Sequence, residues 1–322
     1  MIDLLYDINV RCLVLGIGGA GVNAVQHMAQ HMTDPNLTFV GVDTDVRTLE
    51  GKSVPHKIAL GHKKWGVSSG GDMELAQQSL QEHRDELQAL LDEHELVVVV
   101  AGLGGGTGTG ALSIIAELIA ELKKSVCFAV AMPFGFEGAA QSSIAQENLN
   151  KLAKDLHTIS SKSPIFTVYG DDIIRKYGQV SFQDALNKSN DELMHVVQGL
   201  NIISSPTPVM NISFDSLESA FSFQGFGAVG MGYCNDTDNP NKAQTATKNA
   251  INALSARPTH YKIGKVLIYM TGYDVGINDH QHAHKVAKDL LKLDNSVPIH
   301  CGMVFDDTAS DAVQVVIVVS ES

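Results

Sequence analysis

Between positions 104 and 110 the chain reads Gly-Gly-Gly-Thr-Gly-Thr-Gly, so five of seven residues are glycine and the other two are threonine. An apolar run, residues 96–101, precedes this segment and a helical pattern, residues 110–123, follows it. Glycine gives up more backbone freedom on folding than any other residue. A run this dense therefore calls for very close main-chain approach, and main-chain N–H groups closing on an anion are the natural cause. The two threonine hydroxyls add donors. No lysine of the Walker type accompanies the run, so negative charge there would be met by backbone dipoles, a helix N-terminus and a metal ion.

A second glycine-rich segment runs from strand pattern into helix pattern: Leu13-Val14-Leu15-Gly16-Ile17-Gly18-Gly19-Ala20-Gly21-Val22-Asn23. Alone it supports three readings. It can cradle a phosphate; Gly16, Gly18 and Gly21 also satisfy a GxGxxG dinucleotide fingerprint, with Asp43 placed for a ribose; and it can simply allow tight strand–helix packing. Two glycine turns at two strand ends of one sheet suit a polyphosphate held between them, whereas a dinucleotide enzyme needs only the first. Residues 66–72 form a third small-residue loop that reads equally well as a surface turn.

The rest of the first half alternates in the same way. Residues 12–15, 39–42, 126–132 and 166–169 read as buried strands, and residues 20–32, 74–91 and 142–156 as helices. Ala76, Leu80, Leu87 and Leu91 would form the apolar stripe of the second helix, and Ile144, Leu149, Leu152 and Leu156 that of the third. Such alternation predicts an α/β fold with a Rossmann-like parallel sheet covered on both faces. A longer helix over 182–203, with Phe182, Leu186, Leu193, Val197 and Leu200 inward, leads to a Ser/Pro break at 204–208. Beyond it, a glycine-rich run at 225–234, a small-residue helix at 242–254, strands at 265–270, 297–305 and 312–320 and a helix near 282–291 predict a smaller α/β unit. The expected division is a first α/β domain over 1–180, a connecting helix over 181–205 and a C-terminal domain over 206–322.

Composition narrows the function. The 322 residues are 44% hydrophobic and carry a formal net charge of −13, which argues against nucleic acid or an anionic membrane surface as partner. Cys12, Cys127, Cys234 and Cys301 are scattered among apolar neighbours without CxxC spacing and read as reduced, buried and cytosolic. Neither a signal peptide nor a membrane span is expected from the apolar pattern.

Taken together, these segments resemble the tubulin/FtsZ superfamily of GTPases. The resemblance rests on the run 104–110, on Gly18-Gly19-Ala20-Gly21-x-Asn23, on Asp43-Thr44-Asp45, on residues 68–72, on Pro133-Phe134-Gly135-Phe136-Glu137-Gly138, on Asn190-Asp191 and on Asn211-x-x-Phe214. It covers nearly the whole chain and is closer to bacterial or archaeal FtsZ than to tubulin. It implies a GTP-binding domain, a long central helix and a smaller C-terminal domain. It also implies GTP or GDP with Mg2+, cytoplasmic location, and head-to-tail filaments of the chain with itself or with another FtsZ-type protein, with no direct membrane insertion. Carried over position by position, Gly18, Gly19, Ala20 and Gly21, with Gly104, Gly105, Gly106, Thr107, Gly108 and Thr109, would line the phosphates. Asp45 would lie beside them, and Ser69, Gly70 and Gly71 would lie near the γ-phosphate. Glu137 would bond the ribose. Asn23, Asn190 and Asp191 would surround guanine, and the Asp191 carboxylate would accept from two guanine donors that adenine does not present. No direct protein ligand to the metal is implied.

Several positions depart from the family pattern. Gln141 stands where an arginine is usual, Gly170 where an asparagine touches guanine, and Leu186 where a phenylalanine stacks on the base. Each loss is worth about 1 kcal/mol, together roughly two decades of affinity. The acidic loop that a neighbouring subunit offers to the attacking water, Asn-x-Asp-x-x-Asp, reads here Asn211-Ile212-Ser213-Phe214-Asp215-Ser216. A serine hydroxyl cannot take a proton as a carboxylate does. Asp215 is the nearest candidate for that role, set against the simpler reading of a helix N-cap. The expectation is therefore slow or absent hydrolysis. Ending the sequence at Ser322, directly after the last strand pattern, is read as the lack of a membrane-tethering tail and as the mark of a paralogue with a specialised role.

Other features read more simply. Asp279, His280, His282 and His284 look like a metal cluster but read better as the polar start of a helix capped by Asp279. His27 and His31 read as surface residues. Trp65, the single tryptophan, either covers the nucleotide loop or fills a contact. Two competing functions stand beside the main one: a nucleotide-bound scaffold or filament regulator that does not turn over, and an NAD(P)-dependent oxidoreductase built on residues 16–21 and Asp43.

Overall fold

The computed structural model describes residues 10–60, 81–105, 125–159, 163–204, 223–255, 262–306 and 312–322, with isolated helical positions between 78 and 121. Two compact units emerge, Val10–Val197 and Gln198–Ser322.

In the first unit, β1 (Cys12–Ile17) leads into α1 (Gly18–His31), then β2 (Leu37–Asp43), α2 (Val46–Glu50) and β3 (His56–Ala59). After α3 (Arg84–Asp92) come β4 (Leu96–Gly102) and β5 (Ser125–Met132). A 3-10 turn (Gly135–Glu137) and α4 (Ala139–Thr158) then lead to β6 (Ile165–Tyr169), α5 (Gly170–Tyr177) and α6 (Phe182–Ser204), the helix within which the two units divide. The strand order is β3-β2-β1-β4-β5-β6, all parallel. Every residue of β1 is buried, as are the first six of β4, as expected for continuous Val/Leu/Ile runs covered on both faces.

The order decides where a ligand can sit. From β1 the chain steps outward through β2 to β3, then returns to place β4 on the other side of β1. The sheet's direction of growth reverses between β1 and β4, and a crevice opens outside the carboxyl ends of those two strands. Both glycine turns described, after β1 and after β4, stand at that crevice.

The second unit holds β7 (Phe226–Cys234), α7 (Lys242–Asn252), β8 (Ile263–Gly272), α8 (Ile277–Leu290), β9 (Ile299–Phe305) and β10 (Val313–Glu321). The order is β7-β10-β8-β9, with β10 antiparallel to β7 and β8, and β8 parallel to β9. Small residues set its packing. A Cβ on Gly232 would lie 2.1 Å from the Ala246 carbonyl oxygen and one on Gly230 2.1 Å from that of Ala250, so α7 lies directly on the β7 backbone.

The periodic readings need three local corrections. The helix expected over 74–91 is interrupted by a turn at His83, and residues 74–77 lie outside the described ones. In α4 the inward stripe is Ala145, Leu149, Leu152 and Leu156, while Ile144 is 43% exposed. Spacings of four, three and four keep these residues on one face, and Ile144 falls 100° off it. Phe182 starts α6 but is 61% exposed. Leu193, Val197 and Leu200 carry the buried stripe. Among the described residues no helix is long and apolar enough to cross a membrane. Cys12, Cys127 and Cys234 are buried free thiols and Cys301 is half-buried.

Candidate nucleotide site

A cleft of about 880 Å³ opens at the switch point. Its floor is Ile17, Gly18, Gly19 and Ala20 from the β1–α1 turn and Gly102, Leu103, Gly104 and Gly105 from the end of β4. Asp43, Asp45, Thr48 and Lys52 line one side, and Pro133, Phe134, Glu137 and Gln141 another. Toward the far end α1 contributes Asn23, Gln26, His27 and Gln30, and α6 contributes Gln183, Leu186, Asn187, Ser189 and Asn190.

The glycines divide into two kinds. Gly16, Gly21 and Gly102 are packing glycines: a Cβ would fall 2.5 Å from the Gly21 carbonyl oxygen, 2.4 Å from that of Val100 and 2.6 Å from the Ala20 Cβ, respectively. The packing reading of GxGxxG therefore accounts for its first and last glycines. Gly18 and Gly104 have φ of 70° and 97° and turn the chain in the left-handed region. Among the described residues Gly19 and Gly105 have room: a Cβ on Gly19 would meet only Asp43 Oδ2 at 3.9 Å, and one on Gly105 would meet nothing within 4 Å. Packing among the described residues does not explain these two. Bare backbone facing an open cleft is what an approaching anion requires. The N-terminus of α1, capped by no side chain and with no acid in its first turn, presents N–H groups to the same space.

The flanking side chains are already held in place. Asp45 caps α2, accepting from the Thr48 N–H at 3.0 Å and the Thr48 hydroxyl at 2.8 Å. These bonds draw its carboxyl below the usual value. Glu137 Oε1 accepts from the Phe134 N–H at 2.8 Å, and Gln141 donates to Glu137 Oε2 at 3.3 Å. At Gly170 a Cβ would lie 2.8 Å from Phe134 Cα and ring atoms. The buried Phe134 thus occupies the space in which a larger side chain at 170 would stand.

Of the residues expected at the site, Gly18, Gly19, Ala20, Asn23, Asp45, Gly104, Gly105, Glu137 and Asn190 line the cleft together. Gly21 lies beneath the floor, against β4. Asp191, its side chain 26% exposed, is engaged within the protein: its Oδ1 meets His27 Nε2 at 2.8 Å and its Oδ2 accepts from Lys188 Nζ at 3.1 Å. Burial pushes this carboxyl up, and the Lys188 and His27 hydrogen bonds outweigh burial and bring it below the usual value. His27, read from sequence as a surface residue, is 18% exposed and tied to Asp191. Its four-residue spacing from Asn23, one turn along α1, is the signal that could have placed it at the cleft. Ser69, Gly70, Gly71, Gly106, Thr107, Gly108, Thr109, Asp215, Ser213, Ser216 and Trp65 lie outside the described residues. The Asp279 carboxylate accepts from the Gly276 N–H at 3.0 Å, which fits the helix-start reading. Among the described residues no group of three or more His, Cys, Asp or Glu could hold a metal by itself.

A parallel α/β sheet with two bare glycine turns at its switch point defines a Rossmann-like protein with a crevice shaped for an anionic ligand. Comparison with known proteins refines this. Residues 11–161 match the tubulin/FtsZ family, GTPase domain. Cell division protein FtsZ of Wigglesworthia glossinidia brevipalpis is 27% identical over 321 residues, 98% of this chain and 80% of that protein. Cell division protein FtsZ of Coxiella burnetii is 28% identical over 316 residues, 97% and 79%. Among solved structures, an empty FtsZ dimer of M. jannaschii superposes with a TM-score of 0.78 at 23% identity, covering 96% of this chain and 88% of the other. CetZ2 of Haloferax volcanii, in a GTPγS-bound protofilament, gives 0.78 at 20% identity, covering 97% and 94%. Residues 11–161 thus match the tubulin/FtsZ GTPase domain, and over nearly its whole length the chain is similar to FtsZ.

Proposed function

We propose that the protein binds GTP and GDP in the switch-point cleft, assembles head to tail with copies of itself, and hydrolyses GTP slowly or not at all. The observation that carries the binding reading is the pair of bare glycines, Gly19 and Gly105, facing open space beside an uncapped helix N-terminus. The phosphates would lie over residues 18–21 and 104–109, Ser69–Gly71 would approach the γ-phosphate, Glu137 the ribose, and Asn23, Asn190 and Asp191 the base. Among the described residues, three carboxylates, Asp43, Asp45 and Glu137, line the cleft with one lysine, Lys52. A Mg2+ ion carried on the phosphates would supply the balancing positive charge and polarise the phosphoryl oxygens. Assembly is supported by the relatives, of which one is an FtsZ dimer and another a protofilament, and a role in cell division by the naming of FtsZ homologues.

Slow turnover rests on Ser213 and Ser216 standing where the family places carboxylates. Asp215, one residue away, is the remaining candidate for that role. We further take 1–180, 181–205 and 206–322 as the functional division into nucleotide domain, connecting helix and C-terminal domain.

Sedimentation with GTP, run beside phosphate release on the same sample, tests both parts. Pelleting that depends on GTP with phosphate release far below that of an active FtsZ is the expected result. Indifference of pelleting and thermal stability to guanine nucleotides would overturn the reading. Ordinary family rates abolished by Asp215→Ala would instead assign the role to Asp215.

A further inference from the structure

The base end of the cleft carries an arrangement that phosphate binding does not explain. His27 lines the cleft, and the His27 Nε2 and Asp191 Oδ1 atoms are 2.8 Å apart. Lys188 takes the other oxygen at 3.1 Å and lies over the Tyr177 ring, 5.2 Å from its centroid. Both carboxylate oxygens are thus engaged from inside the protein. What faces the cleft around them is a set of amides: Gln26, Gln30, Gln183, Asn187 and Asn190. A side-chain amide both donates and accepts, so amides alone serve adenine as well as guanine. A free carboxylate does not, because only guanine offers it two adjacent N–H donors.

We propose that His27 determines the base selectivity of the site, by competing with the guanine edge for the Asp191 carboxylate in a pH-dependent way. This rests on the guanine-nucleotide reading above. A protonated imidazole holds the carboxylate in a charge-assisted bond, which is roughly twice as strong as the neutral one. The base is then left to the amides. A neutral imidazole yields Oδ1 to guanine more readily. Histidine as a residue type changes charge between about pH 5 and 8, which sets the range to scan. Among the described residues, the groups beside His27 are Asp191 on α6, whose other oxygen Lys188 holds, and His31 on its own helix, whose ring centroid is 4.4 Å away and whose Nδ1 meets the His27 carbonyl oxygen at 2.7 Å. Lysine keeps its charge throughout that range. The other charged groups at the cleft, Asp43, Asp45, Lys52 and Glu137, belong to elements along its two sides.

The test is the ratio of GDP to ADP affinity, measured with Mg2+ by calorimetry across about pH 5.5 to 8. GDP and ADP carry the same diphosphate, so its own titration cancels in the ratio, as do effects of the acidic groups on it. The preference for GDP is expected to rise about tenfold from the lower to the upper pH, the difference between a charge-assisted and a neutral hydrogen bond. His27→Ala is expected to hold the high preference at both ends. Asp191→Asn is expected to hold a low one at both ends. A preference that stays constant with pH in the unaltered protein while GDP binds, or that keeps its slope in His27→Ala, would overturn the inference alone. Absence of GDP binding at every pH would overturn the guanine reading beneath it as well.

Discussion

A Cβ on Gly21 would sit 2.4 Å from the carbonyl oxygen of Val100, whereas one on Gly105 would, among the described residues, touch nothing. Two glycines that look alike in a motif therefore answer to different forces. Gly21→Ala must push α1 away from β4, and overpacking of this kind costs about 1–3 kcal/mol. A lowered denaturation midpoint without ligand is the expected outcome. Gly105→Ala is expected to leave that midpoint within about 0.5 kcal/mol, while GDP affinity falls by about tenfold or more, the worth of one main-chain bond to phosphate. Equal loss of apo stability in both variants would show that Gly105 is also a packing residue. Gly170 makes the same point in reverse. Restoring the family's asparagine there would drive its Cβ to 2.8 Å from Phe134. Gly170→Asn is expected to destabilise by about 1–3 kcal/mol and to bring no gain in GDP affinity, read from paired melts with and without nucleotide. The sequence pattern shows how many glycines a turn holds. Only the neighbours of each one, set by long-range strand pairing, show which face a ligand.

Helices α1 and α6 are joined through one carboxylate, and that join has a pH dependence of its own. The Lys188 and His27 bonds hold the Asp191 carboxyl below its ordinary value, near 3.9. A carboxyl depressed in the folded state adds stability that is fully present above its unfolded pKa and is lost as pH falls through the folded one. Acid titration of the apo protein, followed by circular dichroism, is therefore expected to show stability falling below about pH 4. Asp191→Asn should lose less over that interval. An identical acid profile in both proteins would mean that the join contributes nothing. At this scale the strands were legible, because runs such as Val97–Val100 are buried on both faces and read as strands from any direction. The helix faces were less so. Ile144 and Ala145 differ by one position, and the larger side chain attracts the assignment although the smaller one fits against the sheet. His27 was missed for a related reason: an ionisable residue on a helix looks like surface until its partner, 164 positions away, is brought beside it.

For the whole molecule the question is what would set turnover if copies assemble head to tail as proposed. The cleft lies in the Val10–Val197 unit, and the stretch carrying Ser213 and Ser216 belongs by sequence to the other. Under the head-to-tail reading that stretch would act on the nucleotide of the next copy, so hydrolysis would belong to the contact rather than to the chain. Two consequences separate this from a chain that merely binds GTP poorly. First, Ser213→Asp with Ser216→Asp supplies carboxylates able to orient and deprotonate water, a contribution typically of 10²–10⁴-fold. Phosphate release is expected to rise by about 10²-fold, with GDP affinity of the monomer unchanged, since under the head-to-tail reading the stretch acts on the nucleotide of the next copy. Second, the gained rate per chain is expected to climb with protein concentration and to vanish below the concentration at which pelleting begins, because a lone chain would lack its partner's carboxylates. A gain independent of concentration would place the loop against its own nucleotide. No gain at all, with pelleting intact, would show that the two serines are not what slows the reaction, and would move attention to the proposed base end, where His27 and Lys188 hold the Asp191 carboxylate.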